Sequence, residues 1–215
     1  MIKVILCDDH ALIRRGIRDT LADAPDIEVV GEAGDYGELR SLMRTLGPEP
    51  GCDVLVLDIN MPGRSGLDVL HVLKDEGASV RVLIVSMYPE DQYAIRALRA
   101  GAFGYVNKGG DPQLLVQAVR TVAQGRKYVT PEIAQMLVES LTAPTQEQAH
   151  QKLSDRELQT LVMIASGKRL SDIAEELTLS PKTVSVYRAR VLEKLGLSNN
   201  SELTVYAIRN GLVQG

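Results

Sequence analysis

Val54-Leu55-Val56-Leu57-Asp58-Ile59-Asn60-Met61-Pro62-Gly63 decides the fold. Four consecutive apolar residues, two of them β-branched, form the pattern of a strand buried on both faces, as in a parallel sheet. The run ends on a carboxylate, and Met61-Pro62-Gly63 turns the chain before the strand can continue. In open α/β sheets the chemistry gathers beyond the carboxyl ends of the strands. Asp58 therefore stands where a functional carboxylate belongs. Near the start, Lys3-Val4-Ile5-Leu6-Cys7 repeats the device and runs into Asp8-Asp9. Three carboxylates delivered by two strand ends make a dense negative site, costly unless a cation neutralises it. Hard oxygen donors in that arrangement suit Mg²⁺.

Working outward, strand patterns occupy 3–7, 27–31, 53–57, 81–86 and 103–106. Helical patterns alternate with them at 11–23, 36–46, 66–76, 90–100 and 111–124. Five such repeats predict an α/β domain, a doubly wound five-stranded parallel sheet with helices on both faces. Two further strand ends then join the acidic edge. Val82-Leu83-Ile84-Val85 ends on Ser86, and Phe103-Gly104-Tyr105-Val106-Asn107 leads into Lys108.

Three acids, a hydroxyl and an amine converging at one sheet edge resemble the receiver domain of two-component response regulators, over residues 2 to about 124. The resemblance implies a flavodoxin-like fold with Asp58 as phosphoacceptor, since a carboxylate nucleophile takes a phosphoryl group as an acyl phosphate. It also implies Mg²⁺ held by Asp9, Asp58 and the backbone carbonyl of Asn60, with Asp8 acting mainly through water. Lys108 and the Ser86 hydroxyl would contact the phosphoryl oxygens. Ser86 and Tyr105 look like the switch pair of that family. On phosphorylation Ser86 would move toward Asp58, and Tyr105 would rotate inward behind it. Lys108 is followed by Gly109-Gly110, where family members often carry a bulkier residue. His10, a lone histidine beside Asp9, reads as loop packing rather than as a ligand.

Composition sets the outer bounds. The 215 residues are 45% hydrophobic and carry a net charge of −4, with no apolar run long enough to cross a membrane. Met1-Ile2-Lys3-Val4-Ile5 runs straight into a strand and reads as lacking a signal peptide. Cys7 and Cys52, the two cysteines, read as reduced thiols, which suits a cytoplasmic location. Charge is unevenly spread. Residues 1–150 hold 15 Lys+Arg against 21 Asp+Glu, whereas 151–215 hold 9 against 7. A basic second part fits a polyanionic partner.

Thr130-Pro131-Glu132 starts a connecting helix over 131–141, and the polar stretch from Thr142 to Gln151 reads as an interdomain linker. Residues 153–215 show four helical patterns and no strand. Ser154 and Glu157 form a capping box. A short helix from Leu170 to Leu177, a turn at Thr178-Leu179-Ser180-Pro181 and a longer helix ending at Gly196 make a helix-turn-helix. On the long helix, Val184, Val191, Leu192 and Leu195 should face the core. The opposite face presents Lys182, Ser185, Val186, Ala189 and Arg190, small and basic enough to enter a major groove. Lys182, Thr183, Tyr187 and Lys194 would reach flanking phosphates. Arg188 is ambiguous, since its phase sets it beside the core stripe, where pairing with Glu157 is an alternative to DNA contact.

This part resembles the LuxR-type DNA-binding domain over about 153–211. The residues that carry the likeness are Leu153-Ser154-Asp155-Arg156-Glu157, Ile173-Ala174-Glu175-Glu176-Leu177, Ser180-Pro181-Lys182-Thr183-Val184 and Lys194-Leu195-Gly196. The two parts in this order resemble a response regulator of the NarL/FixJ type. The expected organisation is a receiver domain at 1–124, a connecting helix and linker at 125–152, and a helix-turn-helix domain at 153–215. The resemblance implies a cytoplasmic transcription regulator rather than an enzyme. Its partners would be a cognate sensor histidine kinase and double-stranded DNA read as promoter inverted repeats by a homodimer formed on activation. A hydrolase reading fails on the residue two after Asp58, where haloacid dehalogenase-type phosphatases need a second Asp as general acid and this chain has Asn60.

Overall fold

The computed structural model describes residues 1–47, 51–88, 90–142 and 149–213. The chain divides into two compact units, Met1–Thr142 and Ala143–Gly215. In the first unit strands β1 (Ile2–Cys7), β2 (Ile27–Ala33), β3 (Val54–Asp58), β4 (Arg81–Ser86) and β5 (Gly104–Asn107) alternate with helices. These are α1 (Ala11–Ala22), α2 (Tyr36–Leu46), α3 (Gly66–Asp75), α4 (Glu90–Ala100) and α5 (Pro112–Ala123), and a sixth helix, α6 (Pro131–Thr142), follows. The sheet is all parallel in the order β2-β1-β3-β4-β5, so the strand order reverses beside β1 and β3 and opens a crevice at their carboxyl ends.

The period of two in each strand splits the core into two layers. Val4, Leu6, Val54, Val56, Leu83, Val85 and Val106 cluster with Leu21, Leu115, Ala118, Val119 and Val122 of α1 and α5. The residues between them, among them Ile5, Leu55, Leu57, Ile84 and Tyr105, are at most 1% exposed and by alternation face the other side. Leu39, Leu67, Leu70, Leu73, Tyr93 and Ala97 of α2, α3 and α4 are buried there. Each such side chain contributes roughly 1.5–3 kcal/mol on burial, which is why β3 admits no polar residue before Asp58.

Helix starts follow local chemistry. Asp35, Ser65 and Asp111 accept hydrogen bonds from the first-turn N–H groups of α2, α3 and α5, and Ser65 with Asp68 completes a capping box. Gly66 is required where α3 passes the end of β3. A Cβ there would lie 2.0 Å from the carbonyl oxygen of Asp58, and Gly66 N–H donates to the Ile59 carbonyl at 2.9 Å. The turn carrying Asn60 is thereby folded back over the strand end.

The helix expected to connect the domains packs on α4 within the first unit. Tyr128 pairs with Gly104 in a parallel bridge, Ile133 is fully buried, and the Thr130 hydroxyl donates to Glu90 Oε2 at 3.0 Å. Gly104 makes the approach possible, because a Cβ there would lie 2.9 Å from that of Tyr128. Residues 143–148 of the expected linker lie outside the described residues, and Ala149–Lys152 form a 3-10 turn.

The second unit holds helices α7 (Asp155–Ala165), α8 (Leu170–Glu176), α9 (Pro181–Leu195) and α10 (Asn200–Arg209). Leu158, Leu161, Ile173, Leu177, Val184, Val191, Leu203 and Ala207 form its interior. Ser154 with Glu157 forms the expected capping box. Ser180 caps α9, and Gly196 ends it at a φ of 65°. The 3-10 turn is held by Tyr206, whose hydroxyl accepts from His150 N–H at 3.2 Å and lies 3.1 Å from its Nδ1.

Candidate functional site

Strand register builds the acidic edge. Cys7 lies opposite Leu57 and Asp58 opposite Val85, so Asp8 and Asp58 emerge side by side at the end of the sheet. Ser86 lies opposite Asn107, so Lys108 emerges one residue beyond it, and its N–H donates to the Ser86 carbonyl at 2.8 Å. Lys108 then reaches back across two strands. Its Nζ lies 2.7 Å from Asp8 Oδ2 and 2.7 Å from Asp58 Oδ2, and all three side chains are at most 4% exposed.

One ammonium between two buried carboxylates leaves the cluster a charge short. Burial pushes the Asp58 carboxyl up to about 6, with Lys108 pulling it down and Asp8 adding to the rise. The group is still ionised at neutral pH and therefore nucleophilic. Cys7 is pushed up to about 12, mainly by burial and then by Asp8, Asp35 and Asp58. It stays a neutral thiol packed against the Met61 sulfur at 3.3 Å. Cys7 and Cys52 are both free.

The donor set fits a hard divalent cation. Ligand atoms of Asp8, Asp9, His10 and Asp58 lie within 4.8 Å of one another. Asp8 Oδ2, Asp9 Oδ1 and Asn60 Oδ1 are buried without a hydrogen bond. The first two meet Lys108 and His10 only as ion-pair contacts, at 2.7 Å in each case. Carboxylates held away from solvent with lone pairs unused are what Mg²⁺ recruits. His10 does serve the loop, since its N–H donates to Asp8 Oδ1 at 2.8 Å.

Ser86 Oγ accepts from Tyr88 N–H at 3.2 Å. Tyr105 is fully buried, and its hydroxyl donates to the Tyr88 carbonyl at 2.7 Å. In this structure the Tyr105 ring occupies the inward position. The aromatic body fills the layer under α4, and the hydroxyl meets a carbonyl that satisfies it there. The Tyr88 ring stacks on that of Tyr93 with centroids 4.7 Å apart.

On the second unit Lys182, Ser185, Val186, Ala189 and Arg190 are exposed along one face of α9, while Thr183 and Tyr187 are half-buried. Lys194 has another partner. Its Nζ donates to Glu157 Oε2 at 2.6 Å, and Glu157 is only 2% exposed. Burial alone would raise the Glu157 carboxyl, but Lys194 and the Ser154 N–H hold it below the usual carboxylate range. Arg188, for which Glu157 is one of the partners the sequence leaves open, donates from Nε to Asn200 Oδ1 at 2.6 Å. Lys194 and Glu157 are 37 residues apart in the chain, and helical phase within α9 gives no sign of their pairing. Sequence reasoning also passed over Asn107, whose Nδ2 donates to the Tyr88 carbonyl at 3.2 Å. An amide at the last position of an apolar strand was the available signal.

Comparison with known proteins agrees with both halves. Residues 4–120 match the response regulator receiver domain, and residues 151–207 match the bacterial regulatory proteins of the luxR family. The chain is 40% identical to the response regulator GacA of Pseudomonas aeruginosa over 99% of its own length and 98% of that protein. It is also 40% identical to the response regulator UvrY of Escherichia coli, over 99% and 96%. Among solved structures it resembles RcsB of Salmonella enterica serovar Typhimurium bound to promoter rprA in the presence of the phosphomimetic BeF3⁻. The TM-score is 0.63 at 28% identity, covering 95% of this chain and 97% of that one. It also resembles the response regulator ChrA of a heme-sensing two-component system, with a TM-score of 0.52 at 33% identity over 99% and 98%.

Proposed function

Because the chain belongs to the NarL/FixJ family of two-component response regulators, with a receiver domain and a LuxR-type DNA-binding domain, we propose that phosphorylation of Asp58 by a sensor histidine kinase switches its binding to promoter DNA. The observation that carries this reading is the buried trio at the sheet edge, in which the Lys108 ammonium bridges Asp8 and Asp58 at the end of β3. An Asp58 carboxylate oxygen attacks the phosphorus of a phosphohistidine. The O–P bond forms, the P–N bond breaks, and the leaving imidazole nitrogen takes up a proton. The Asp58 carboxyl, at about 6, is ionised for this step at neutral pH.

Asp8, Asp9, Asp58 and the carbonyl of Asn60 would hold Mg²⁺, which when bound cancels the charge gathered between the carboxylates and the phosphoryl oxygens. The protein's own groups do the rest. Esterification removes the negative charge that Lys108 meets on Asp58 and places new charge on the phosphoryl oxygens, so the ammonium follows it. The Ser86 hydroxyl donates to the same oxygens. Its Oγ is also the acceptor for Tyr88 N–H, so a shift of Ser86 reaches the start of α4.

The output is binding of double-stranded DNA by the exposed face of α9, with Lys182, Thr183 and Tyr187 toward phosphates and Ser185, Val186, Ala189 and Arg190 toward bases. The relative RcsB, solved on promoter DNA in the presence of a phosphomimetic, supports the pairing of the two halves, and the structure of two RcsB dimers on two parallel DNAs supports a dimer on DNA. A homodimer would read inverted half-sites about one helical turn apart. Val205 and Ile208 on α10, 46% and 45% exposed, are apolar residues suited to that contact. Among the described residues no helix is long and apolar enough to cross a membrane. We place the regulator in the cytoplasm, acting by binding rather than by turning over a substrate. Acetyl phosphate with Mg²⁺ should add one phosphoryl mass to the wild-type protein and none to Asp58→Ala. Equal labelling of both would overturn the assignment.

A further inference from the structure

We propose that Asn107 is a positioning residue that ties the Lys108 turn to the start of α4. Together with Ser86, it passes the arrival of a phosphoryl group to that helix. The inference rests on Asp58 being the phosphoacceptor and names a second arm of the same switch.

The backbone of Tyr88 is gripped at both ends. Its N–H donates to Ser86 Oγ at 3.2 Å, and its carbonyl accepts from the Tyr105 hydroxyl at 2.7 Å and from Asn107 Nδ2 at 3.2 Å. Two donors use both lone pairs of that carbonyl. The other end of the Asn107 amide faces the opposite way. Its Oδ1 accepts from Gly109 N–H at 2.8 Å, and the Asn107 carbonyl accepts from Gly110 N–H at 3.1 Å. A backbone N–H only donates, so the oxygen must face Gly109, and the amide must present its nitrogen to Tyr88. This fixes the orientation by network rather than by shape.

Lys108 lies inside the turn that Asn107 closes, and its ammonium is the group that must move when Asp58 is esterified. Two strand-end residues therefore report the same event to one peptide unit. Ser86 pulls on the Tyr88 N–H from β4, and Asn107 pulls on the Tyr88 carbonyl from β5. The glycines suit this arrangement. A Cβ at Gly109 would stand 3.2 Å from Asn107 Oδ1, and one at Gly110 would stand 3.2 Å from the Asn107 carbonyl, tighter than ordinary contact, so bare backbone lets the turn close on the amide. From Tyr88 the path continues through the stacked Tyr93 into α4 and through Glu90 to Thr130 at the head of α6. Apolar residues at position 107 would pack at the strand end but carry none of these links.

The test uses the full chain with BeF3⁻ and Mg²⁺ as the phosphoryl mimic, comparing wild type, Asn107→Leu and Asn107→Asp. Leu removes both links. Asp keeps an acceptor for Gly109 N–H and loses the donor to Tyr88. Three quantities are read: BeF3⁻ affinity, hydrogen exchange of α4 and α6 peptides with and without BeF3⁻, and DNA affinity with and without it. Both variants should bind BeF3⁻ within about threefold of wild type, yet lose the BeF3⁻-dependent change in α4 exchange and about tenfold of the gain in DNA affinity, a usual size for a coupling between sites. A purely structural role would lower stability without separating binding from response. Variants that keep the full wild-type response overturn the inference while leaving Asp58 as acceptor. A wild-type protein that shows no response to BeF3⁻ overturns the proposed function and this inference with it.

Discussion

The ammonium of Lys108 lies 2.7 Å from Oδ2 of Asp58, and both side chains are 3% exposed. Even so, burial outweighs the pairing, and the Asp58 carboxyl rises from 3.8 to about 6. The folded protein holds this proton more tightly than the unfolded chain does. The contribution to stability is therefore largest below pH 3.8, falls as pH rises through the window up to about 6, and stays low above it. A shift of this size corresponds to about 3 kcal/mol. Asp58→Asn should accordingly be more stable than wild type at pH 8 in chelator by about 2 kcal/mol, and no more stable at pH 3.5. Urea midpoints of the sheet domain at the two pH values check it. A variant less stable than wild type at pH 8 would show that the pair is net favourable.

Lys108→Met removes the cation that, among the described residues, meets both Asp8 and Asp58. Two buried carboxylates are then left facing each other, which should cost about 3 kcal/mol at pH 8. Mg²⁺ should repair this, because a site with more uncompensated charge binds the ion more tightly and gains more from mass action. Thermal midpoints with increasing Mg²⁺ should rise further for Lys108→Met than for wild type. Midpoints indifferent to Mg²⁺ in both proteins would contradict the assignment of the acidic edge as its site.

How much of this was legible in the sequence depended on whether the deciding interaction was local. The apolar run ending at Asp58 announces a buried parallel strand, and β3 is that strand. Ser154 with Glu157, and Ser180 with Pro181, announce helix starts through bonds spanning three residues, and both are present. What periodicity does not carry is pairing across the chain. The bridge from Tyr128 to Gly104 takes α6 into the first unit, and nothing near residue 131 signals it. Strand alternation gives the side on which Tyr105 lies, but how deep its ring sits depends on the Tyr88 carbonyl that receives its hydroxyl. Lys194 reads as a phosphate contact from its place on the long helix, while its partner Glu157 comes from the start of another helix.

That partner separates two lysines of α9 by experiment. Lys182 is exposed at the head of the helix, and Lys194 neutralises a buried carboxylate near its end. Lys182→Ala should weaken DNA binding and reduce the salt dependence of log Kd by about one unit of slope. Lys194→Ala should leave the slope unchanged and destabilise the second unit by about 2 kcal/mol, the result of stranding Glu157. Salt titrations of binding alongside denaturant unfolding distinguish them. A reduced slope for Lys194→Ala would return it to the DNA contacts.

Gly66 carries no chemistry, yet the site depends on it. A methyl group there would overlap the Asp58 carbonyl oxygen, at 2.0 Å, and crowd the Ile59 Cα, at 3.0 Å. Both are backbone atoms of the strand end and neither can swing aside. Gly66→Ala should cost about 3 kcal/mol or more in the first unit and weaken BeF3⁻ binding, because the turn carrying Asn60 must lift away from Asp58. Full stability in this variant would show that the approach of α3 to β3 is looser than described.

The central claim is that the state of Asp58 governs DNA binding by α9. The most direct measurement selects bound fragments from sheared genomic DNA with wild-type protein and Asp58→Ala, each with and without acetyl phosphate and Mg²⁺. With Asp58 as the trigger, wild type enriches a common inverted repeat only when the phosphoryl donor is present, and Asp58→Ala enriches it in neither arm. Equal enrichment by both proteins in both arms would contradict it, leaving a DNA-binding protein whose acidic edge is not its trigger.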